Sequence, residues 1–235
     1  MLARWSAVIG FVAVASLLLG LLVSNTRLLS PLAGLGIAAA GGALGILGLL
    51  LGVIAAFRGG IAAAIPGLAL GALVAIPSFV FVLRATHYPP INDITTDTAS
   101  PPEFTRAPAL PENHGRDFTY PGDSFARLQR AAYPEIQPLV LDKSPMDVFE
   151  LVETEAEAKP DWQITFVDRE MLILEGVAET SLFRFRDDFL IQVRPFRGGS
   201  MVQMRSRSRV GKGDLGVNAR RITGFFSELK RQAAF

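Results

Sequence analysis

The sequence predicts a membrane protein in two parts: an all-α anchor of three transmembrane helices, then an α+β domain built on an antiparallel sheet. Three observations carry this. Residues 1–83 hold three charged side chains, Arg4, Arg27 and Arg58, and all 22 Asp and Glu residues lie beyond them. Three apolar runs fill that first part, each with about 20 residues or more, enough at ~1.5 Å per helical residue to cross a ~30 Å hydrocarbon core. Past residue 123 the apolar residues change spacing, from continuous runs to alternation in strands and a 3.6-residue repeat in helices.

The apolar runs are about 5–24, 32–57 and 61–83 within an anchor of residues 1–84. In lipid every backbone polar group must be satisfied within the segment, so these runs read as helices. Gly41/Gly45, Gly48/Gly52 and Gly67/Gly71 stand at the four-residue spacing that lets helices approach closely. The first run has one early Arg, no clear small-x-small cleavage site and two more spans after it, so it is expected to stay as an anchor. Arg4 and Arg58 fall on one side of the membrane and Arg27 and Arg84 on the other, a tie by the positive-inside rule. The α-amino group tips the balance to an inside N-terminus. That puts the domain on the periplasmic or outer face, with a bacterial inner membrane the expected home. The absence of Cys rules out disulfides, Cys-ligated metal and a Cys nucleophile.

Residues 85–123 read as a Pro-rich extended strap, and Tyr88–Asp123 contain seven prolines. Ile91, Ile94 and Phe104 give it groups with which to dock on the domain, residues 124–235. There, Ile136–Leu141 is a short strand. Ser144 is an N-cap with Pro145 at the first helical position and Asp147 three residues on, and Pro160 ends that helix. Val148, Leu151, Val152 and Ala156 form its inner face. Four strands follow: one in which Trp162, Ile164 and Phe166 alternate with polar residues, then Met171–Thr180, Phe183–Arg194 and Met201–Val210. The turn Arg197-Gly198-Gly199 joins the last two. Asp214 caps a final helix whose Leu215, Ala219, Ile222, Phe226 and Leu229 share one face. The order strand, helix, four strands, helix is that of the TATA-box-binding-like and helix-grip-like arrangements, with both helices on one face of the sheet. The last strand is expected at or near the sheet edge.

Alternation along strands gathers charge on the other face. Arg205, Arg207 and Arg209 lie in register on the last strand. Arg184, Arg186, Asp188, Gln192 and Arg194 lie on the one before, and Glu175 and Glu179 join them. Residues 204–222 hold six basic residues and one acid, yet 88–235 hold 19 basic and 22 acidic, so the domain outside that stretch stands at −8. Nucleic-acid binders are basic over the whole domain and stack bases on aromatic rings. Residues 204–222 contain no Tyr or Trp. Nucleic acid is therefore excluded as a partner.

"PPINDITTD" (Pro89–Asp97), "FRFRDD" (Phe183–Asp188) and "RSRSRVGKGDLGVNARRI" (Arg205–Ile222), in this order, resemble the family known as domain of unknown function 1499. The resemblance covers about 88–232, essentially the whole soluble part. It implies no activity, cofactor or ligand, and the three-helix anchor is additional to it.

Two readings of the charged face stay open. One is an internal ladder, with Glu175, Glu179 and Asp188 opposite the arginines and Asp93 and Asp97 of the strap as further partners. The other is a surface that binds an anionic or lipid-like ligand, or a membrane-protein partner, through Arg184, Arg186, Arg205, Arg207, Arg209, Lys212 and Arg220. Asp187 falls in register with Phe185, Phe189 and Ile191 on the apolar face. A buried carboxylate there must be paired, with an Arg or with the start of the last helix. Asp187 and Asp188, as strand neighbours, point to opposite faces and are not a dyad. Asp214 and Asn218 complete the set of structural or functional candidates. His87 and His114 read as solvated loop residues, and no metal or cofactor is expected. The resulting expectation is a bilayer-anchored, non-enzymatic module that binds through its Arg-rich sheet face. The alternatives are a hydrolase using Asp187, Asp188 or the strap carboxylates, and a membrane assembly factor with a purely structural Arg ladder.

Overall fold

The structure, a computed structural model, describes residues 1–234. They form two compact units: residues 1–87 with 181–184, and the remainder. In the first unit, α1 (Leu2–Asn25), α2 (Pro31–Gly59) and α3 (Ile61–Ala85) are each long and apolar enough to span a membrane. The Ser30 hydroxyl accepts from the Ala33 amide at 3.2 Å, and Pro31 follows it, so α2 starts where its own N–H groups are provided for.

Small residues line the seams between these helices. Gly41, Gly45, Gly48 and Gly52 of α2 and Gly67 and Gly71 of α3 are buried, so the four-residue repeats pack against other helices of the same chain. A methyl added to Gly71 would sit 2.6 Å from the Leu49 amide nitrogen, and one added to Gly20 would sit 2.8 Å from that of Ala38. At such backbone approach dispersion replaces a hydrophobic drive that lipid does not supply. The Ser6 hydroxyl adds one interhelical bond, donating to the Gly48 carbonyl at 2.8 Å.

The second unit is a six-stranded antiparallel sheet. Its strands are β1 (Asp93–Thr95), β2 (Leu139–Leu141), β3 (Trp162–Asp168), β4 (Ile173–Glu179), β5 (Arg186–Phe196) and β6 (Gly199–Ser208). The order is β1-β6-β5-β4-β3, with β2 also pairing β6. Both β1 and β2 lie along the outer side of β6, so the last strand stands one place in from the edge, near it as expected. Arg197 (φ 50) and Gly198 (φ 86) form the tight turn between β5 and β6, a two-residue link whose left-handed pair matches the strand twist.

Helices α5 (Pro145–Glu157) and α6 (Val217–Ala233) cover one face. Ser144 caps α5 by accepting from the Asp147 amide at 3.2 Å. Val148, Phe149, Val152 and Ala156 meet Leu174, Phe189, Ile191, Val202 and Met204 of the sheet, and Ala219, Ile222, Phe225, Phe226 and Leu229 of α6 close the core. Leu215 lies outside α6 with φ 54, so it is not part of the expected helical stripe. Trp162 and Ile164 pack on this side. A register shift between Ile164 and Phe166 turns Phe166 to the other side, and the expected three-residue alternation breaks there.

The strap covers the opposite face. Phe104 and Ala107 pack with Ile173 and Leu190, flanked by Phe118 and Phe166, in a second, smaller core. Two elements in this region carry no expectation from the sequence: β1, and α4 (Asp123–Ala132). They work together. The Gln129 side chain of α4 accepts from the Thr95 amide at 3.0 Å and donates to the Thr95 carbonyl at 2.6 Å. One side-chain amide thus closes the free edge of β1, as another strand would.

Candidate functional site

Arg205 is the centre of the charged face. It is 1 % exposed, and its guanidinium grips Asp93 of β1 in two parallel bonds, Nε to Oδ1 at 2.9 Å and Nη2 to Oδ2 at 2.8 Å. The strap takes its remaining donors: Nη1 reaches the Pro102 carbonyl at 3.2 Å and Nη2 the Phe118 carbonyl at 2.9 Å. The Phe104 and Tyr120 rings lie 5.2 and 5.5 Å from the guanidinium carbon. Burial pushes the Tyr120 phenol up to about 12, with the Asp93 charge adding to it. Planar, five-donor geometry lets an Arg serve two backbone carbonyls and a carboxylate at once, which Lys cannot do.

Arg209 lies just past β6 and grips Asp188 of β5, with Nη2 at 2.7 Å from Oδ1 and Nε at 3.1 Å from Oδ2. Asn113 of the strap donates to the same carboxylate at 3.1 Å. Arg116 of the strap donates to the Arg209 carbonyl and, at 3.2 Å, to the Ser208 carbonyl. Asp97 accepts from the Gln203 amide at 3.0 Å and turns its own chain by accepting from the Ala99 and Ser100 amides. Glu175 is bonded by backbone rather than by a guanidinium. Its carboxylate accepts from the backbone amides of Thr105, Arg106 and Ala107, at 2.7 Å from the last. The charged face is therefore the underside of the strap, and most of its arginines are spent holding it, as the ladder reading expects.

A second polar system sits on the helix side of the sheet. Asp187 is buried and accepts from Arg221 of α6 at 2.7 Å. Arg221 also donates to the Ser206 hydroxyl at 2.8 Å, while Asn218 accepts from that hydroxyl at 2.7 Å and donates to Ser208 at 3.0 Å. Asp214 accepts from the Gly216 and Asn218 amides, each at 2.8 Å, and starts α6. Burial raises its carboxyl above the ordinary range against the pull of those two amides. Asp187 and Asp188 thus face opposite sides of the sheet, each against its own Arg.

The remaining candidates are scattered. Arg184 lies in the β4–β5 connection with φ 58, off the strand face. Arg186 is half-exposed, 3.5 Å from Glu112. Lys212 is exposed in the loop before α6. Arg220 is exposed, donates to the Tyr88 hydroxyl at 3.2 Å and lies over that ring. Beside it runs a shallow groove of about 330 Å³, between α6 and the start of β3, lined by Lys159, Asp161, Trp162, Val217, Arg220, Arg221, Gly224 and Phe225. Its floor is aromatic, since Trp162 stacks 5.2 Å from Phe225. Cations at its rim outnumber the single acid. Sequence reasoning reached Arg220 but not this groove, whose walls come from residues about 60 positions apart.

No curated protein matches the sequence. Among solved structures, the crystal structure of Ara h 8.0201 is similar at 12% identity, over 42% of this chain and 94% of that one, with a TM-score of 0.33. The family model described as "Protein of unknown function (DUF1499)" matches residues 93–229, a span that takes in the Arg–carboxylate system from Asp93 to Arg221. The chain therefore belongs to the DUF1499 family, its matched domain preceded by three helices apolar enough to cross a membrane.

Proposed function

We propose that the protein is a membrane-held, non-enzymatic module that takes an amphipathic anion in the groove beside α6, with its Arg–carboxylate ladder serving as framework. The observation that carries this reading is the groove itself: Trp162, Val217 and Phe225 give an apolar floor, and Lys159 and Arg220 set cations at its rim, while Arg221 is committed to Asp187. Its volume, about 330 Å³, is at the low end for sites that hold small molecules, of order 300–1,000 Å³. An apolar body with an anionic end matches floor and rim together.

Trp162 reports on occupancy directly. Trp5 is the other tryptophan in the chain, so Trp5→Phe leaves Trp162 alone. In that background, full-length protein in neutral detergent is titrated with brominated oleate. Saturable quenching is expected, with much weaker quenching by the matching brominated alcohol. A Cβ added at Gly224, which lines the groove, meets nothing within 4 Å, so Gly224→Phe is expected to obstruct the groove and abolish quenching. Arg220→Gln weakens it about tenfold, the value of one charge-assisted contact. Equal quenching in Gly224→Phe would remove the groove from consideration.

The same reading places the domain on the periplasmic side of a bacterial inner membrane. The support is the number of spans: three set the domain on the side opposite Arg4, which this reading keeps inside. An alkaline phosphatase fused after Phe235 is expected to be active, and activity of a cytoplasmic reporter at that position would reverse the assignment.

A further inference from the structure

The strap side of the sheet holds more guanidinium than its carboxylates use. Arg207 stands directly across from Asp93 on β1 and from Asp188 on β5. Yet each of those carboxylates is gripped by a diagonal neighbour, Asp93 by Arg205 and Asp188 by Arg209. The nearest carboxylate oxygen to Arg207 Nε is Asp93 Oδ2 at 3.7 Å, and that oxygen already accepts from Arg205 at 2.8 Å. Arg207 Nε and Nη1 are consequently buried without a hydrogen-bond partner, and so is Nε of Arg116. The Phe118 ring packs 5.1 Å from the Arg207 guanidinium carbon and shields it further.

Three buried donor nitrogens on two cations need acceptors. A water molecule satisfies donors but leaves charge. Four guanidiniums, Arg116, Arg205, Arg207 and Arg209, stand against Asp93 and Asp188, since the third buried carboxylate of this face, Glu175, is taken up by three strap amides. The other acids near them, Asp117 and Glu112, are at the solvent rim, where Asp117 accepts from the Thr119 amide and Glu112 faces Arg186. Burial lowers the Arg116 pKa, and Arg207 and Arg209 lower it further against the opposing pull of Asp188. An anion supplies both the acceptor and the missing negative charge. The donors are closed to solvent, which limits the occupant to one small ion, somewhat larger than a water molecule.

We propose that Arg116 and Arg207 hold one small inorganic anion of halide size between the strap and β6. Because Arg116 belongs to the strap and Arg207 to the sheet, the anion ties the strap down, and its binding and strap closure are linked. This site is separate from the groove beside α6 and stands whether or not that groove binds a ligand.

The test uses full-length Trp5→Phe protein in neutral detergent, dialysed into sodium gluconate and titrated with sodium chloride or sodium bromide at constant ionic strength. The unfolding midpoint of the Trp162 signal is expected to rise and saturate with either halide. Arg207→Gln and Arg116→Gln each weaken the halide dependence about tenfold or more, as loss of a charged donor implies. Arg186→Gln, on the same sheet face but exposed, leaves it unchanged. Crystals grown in bromide give a second readout that needs no variant: an anomalous peak between Arg116 and Arg207. No saturable rise together with no bromide peak overturns the proposal, as does a halide response that both Gln variants retain. If Arg207→Gln fails to fold, the bromide peak alone decides.

Discussion

Arg205→Gln is expected to cost about 3–5 kcal/mol of domain stability, the range for removing one partner of a buried ion pair. Against a total of ~5–15 kcal/mol for a typical domain, that leaves the variant marginal or unfolded. The size follows from what is stranded. Asp93 is fully buried and loses both guanidinium bonds, while the Pro102 and Phe118 carbonyls lose their donor. Asp93→Asn should cost a similar amount, because Arg205 then lies buried against a neutral amide. Each variant, made in the Trp5→Phe chain, is measured by urea unfolding followed through Trp162. The double variant Arg205→Met/Asp93→Leu removes both charges and should be clearly less damaged than the two single effects added together. Arg186→Gln supplies the contrast: its pair with Glu112 is 33% and 52% exposed, and such pairs contribute ~0–1 kcal/mol. An unchanged unfolding midpoint in Arg205→Gln would show that the ladder is not framework, and would return Arg205 to the list of ligand contacts.

The contrast between Arg205 and Arg186 also shows where sequence reading stops. Alternation alone places Arg205, Arg207 and Asp188 on one sheet face and Asp187 on the other, and the three apolar runs declare the spans. The Ser144-Pro145 pair marks the start of α5 for the same reason that it caps it. What alternation does not tell is what lies over a face. The strap segment is rich in Pro and poor in periodicity: Phe104 offers itself for docking, but nothing local says that it and Ala107 close on Ile173 and Leu190. β1 is three residues long and takes its identity from its neighbour β6, not from its own pattern. Helix α4 is silent because it is ten residues long and turns only Phe125, Ala126 and Gln129 toward the rest of the domain, one of them polar. The register shift beside Thr165 leaves no mark in composition either, yet it moves Phe166 to the strap side. Glu175 is the sharpest case. Alternation puts it on the charged face, where arginines are the obvious partners. Its true partners are backbone amides 68–70 residues earlier, which have no side-chain signature at all.

Glu175→Gln is expected to release the strap while leaving the rest of the domain folded. The native carboxylate is an acceptor at both oxygens, and three consecutive amides, of Thr105, Arg106 and Ala107, point at it. A Gln of the same shape turns one of those oxygens into an NH₂ donor facing N–H groups. That leaves at least one amide buried without an acceptor and removes the charge from the others, a loss of about 3 kcal/mol. The loss falls on the strap because those bonds, with the small core of Phe104, Ala107, Ile173 and Leu190, are what hold residues 104–107 down. Asn113, which donates to the Ala107 carbonyl and to Asp188, lies in the same segment and follows it. Trypsin reads the opening at Arg106 and Arg116. When opening is fast relative to cleavage, about 3 kcal/mol raises the cleavage rate by roughly two orders of magnitude. Trp162, packed on the far side of the sheet against Phe189 and Phe225, should keep its native emission throughout. Glu103→Gln, at an exposed strap position, is the control and should cleave at the parent rate. Parent-rate cleavage in Glu175→Gln would mean that packing alone holds the strap. Loss of the native Trp162 emission would mean instead that strap and sheet unfold as one cooperative unit, with Glu175 holding both.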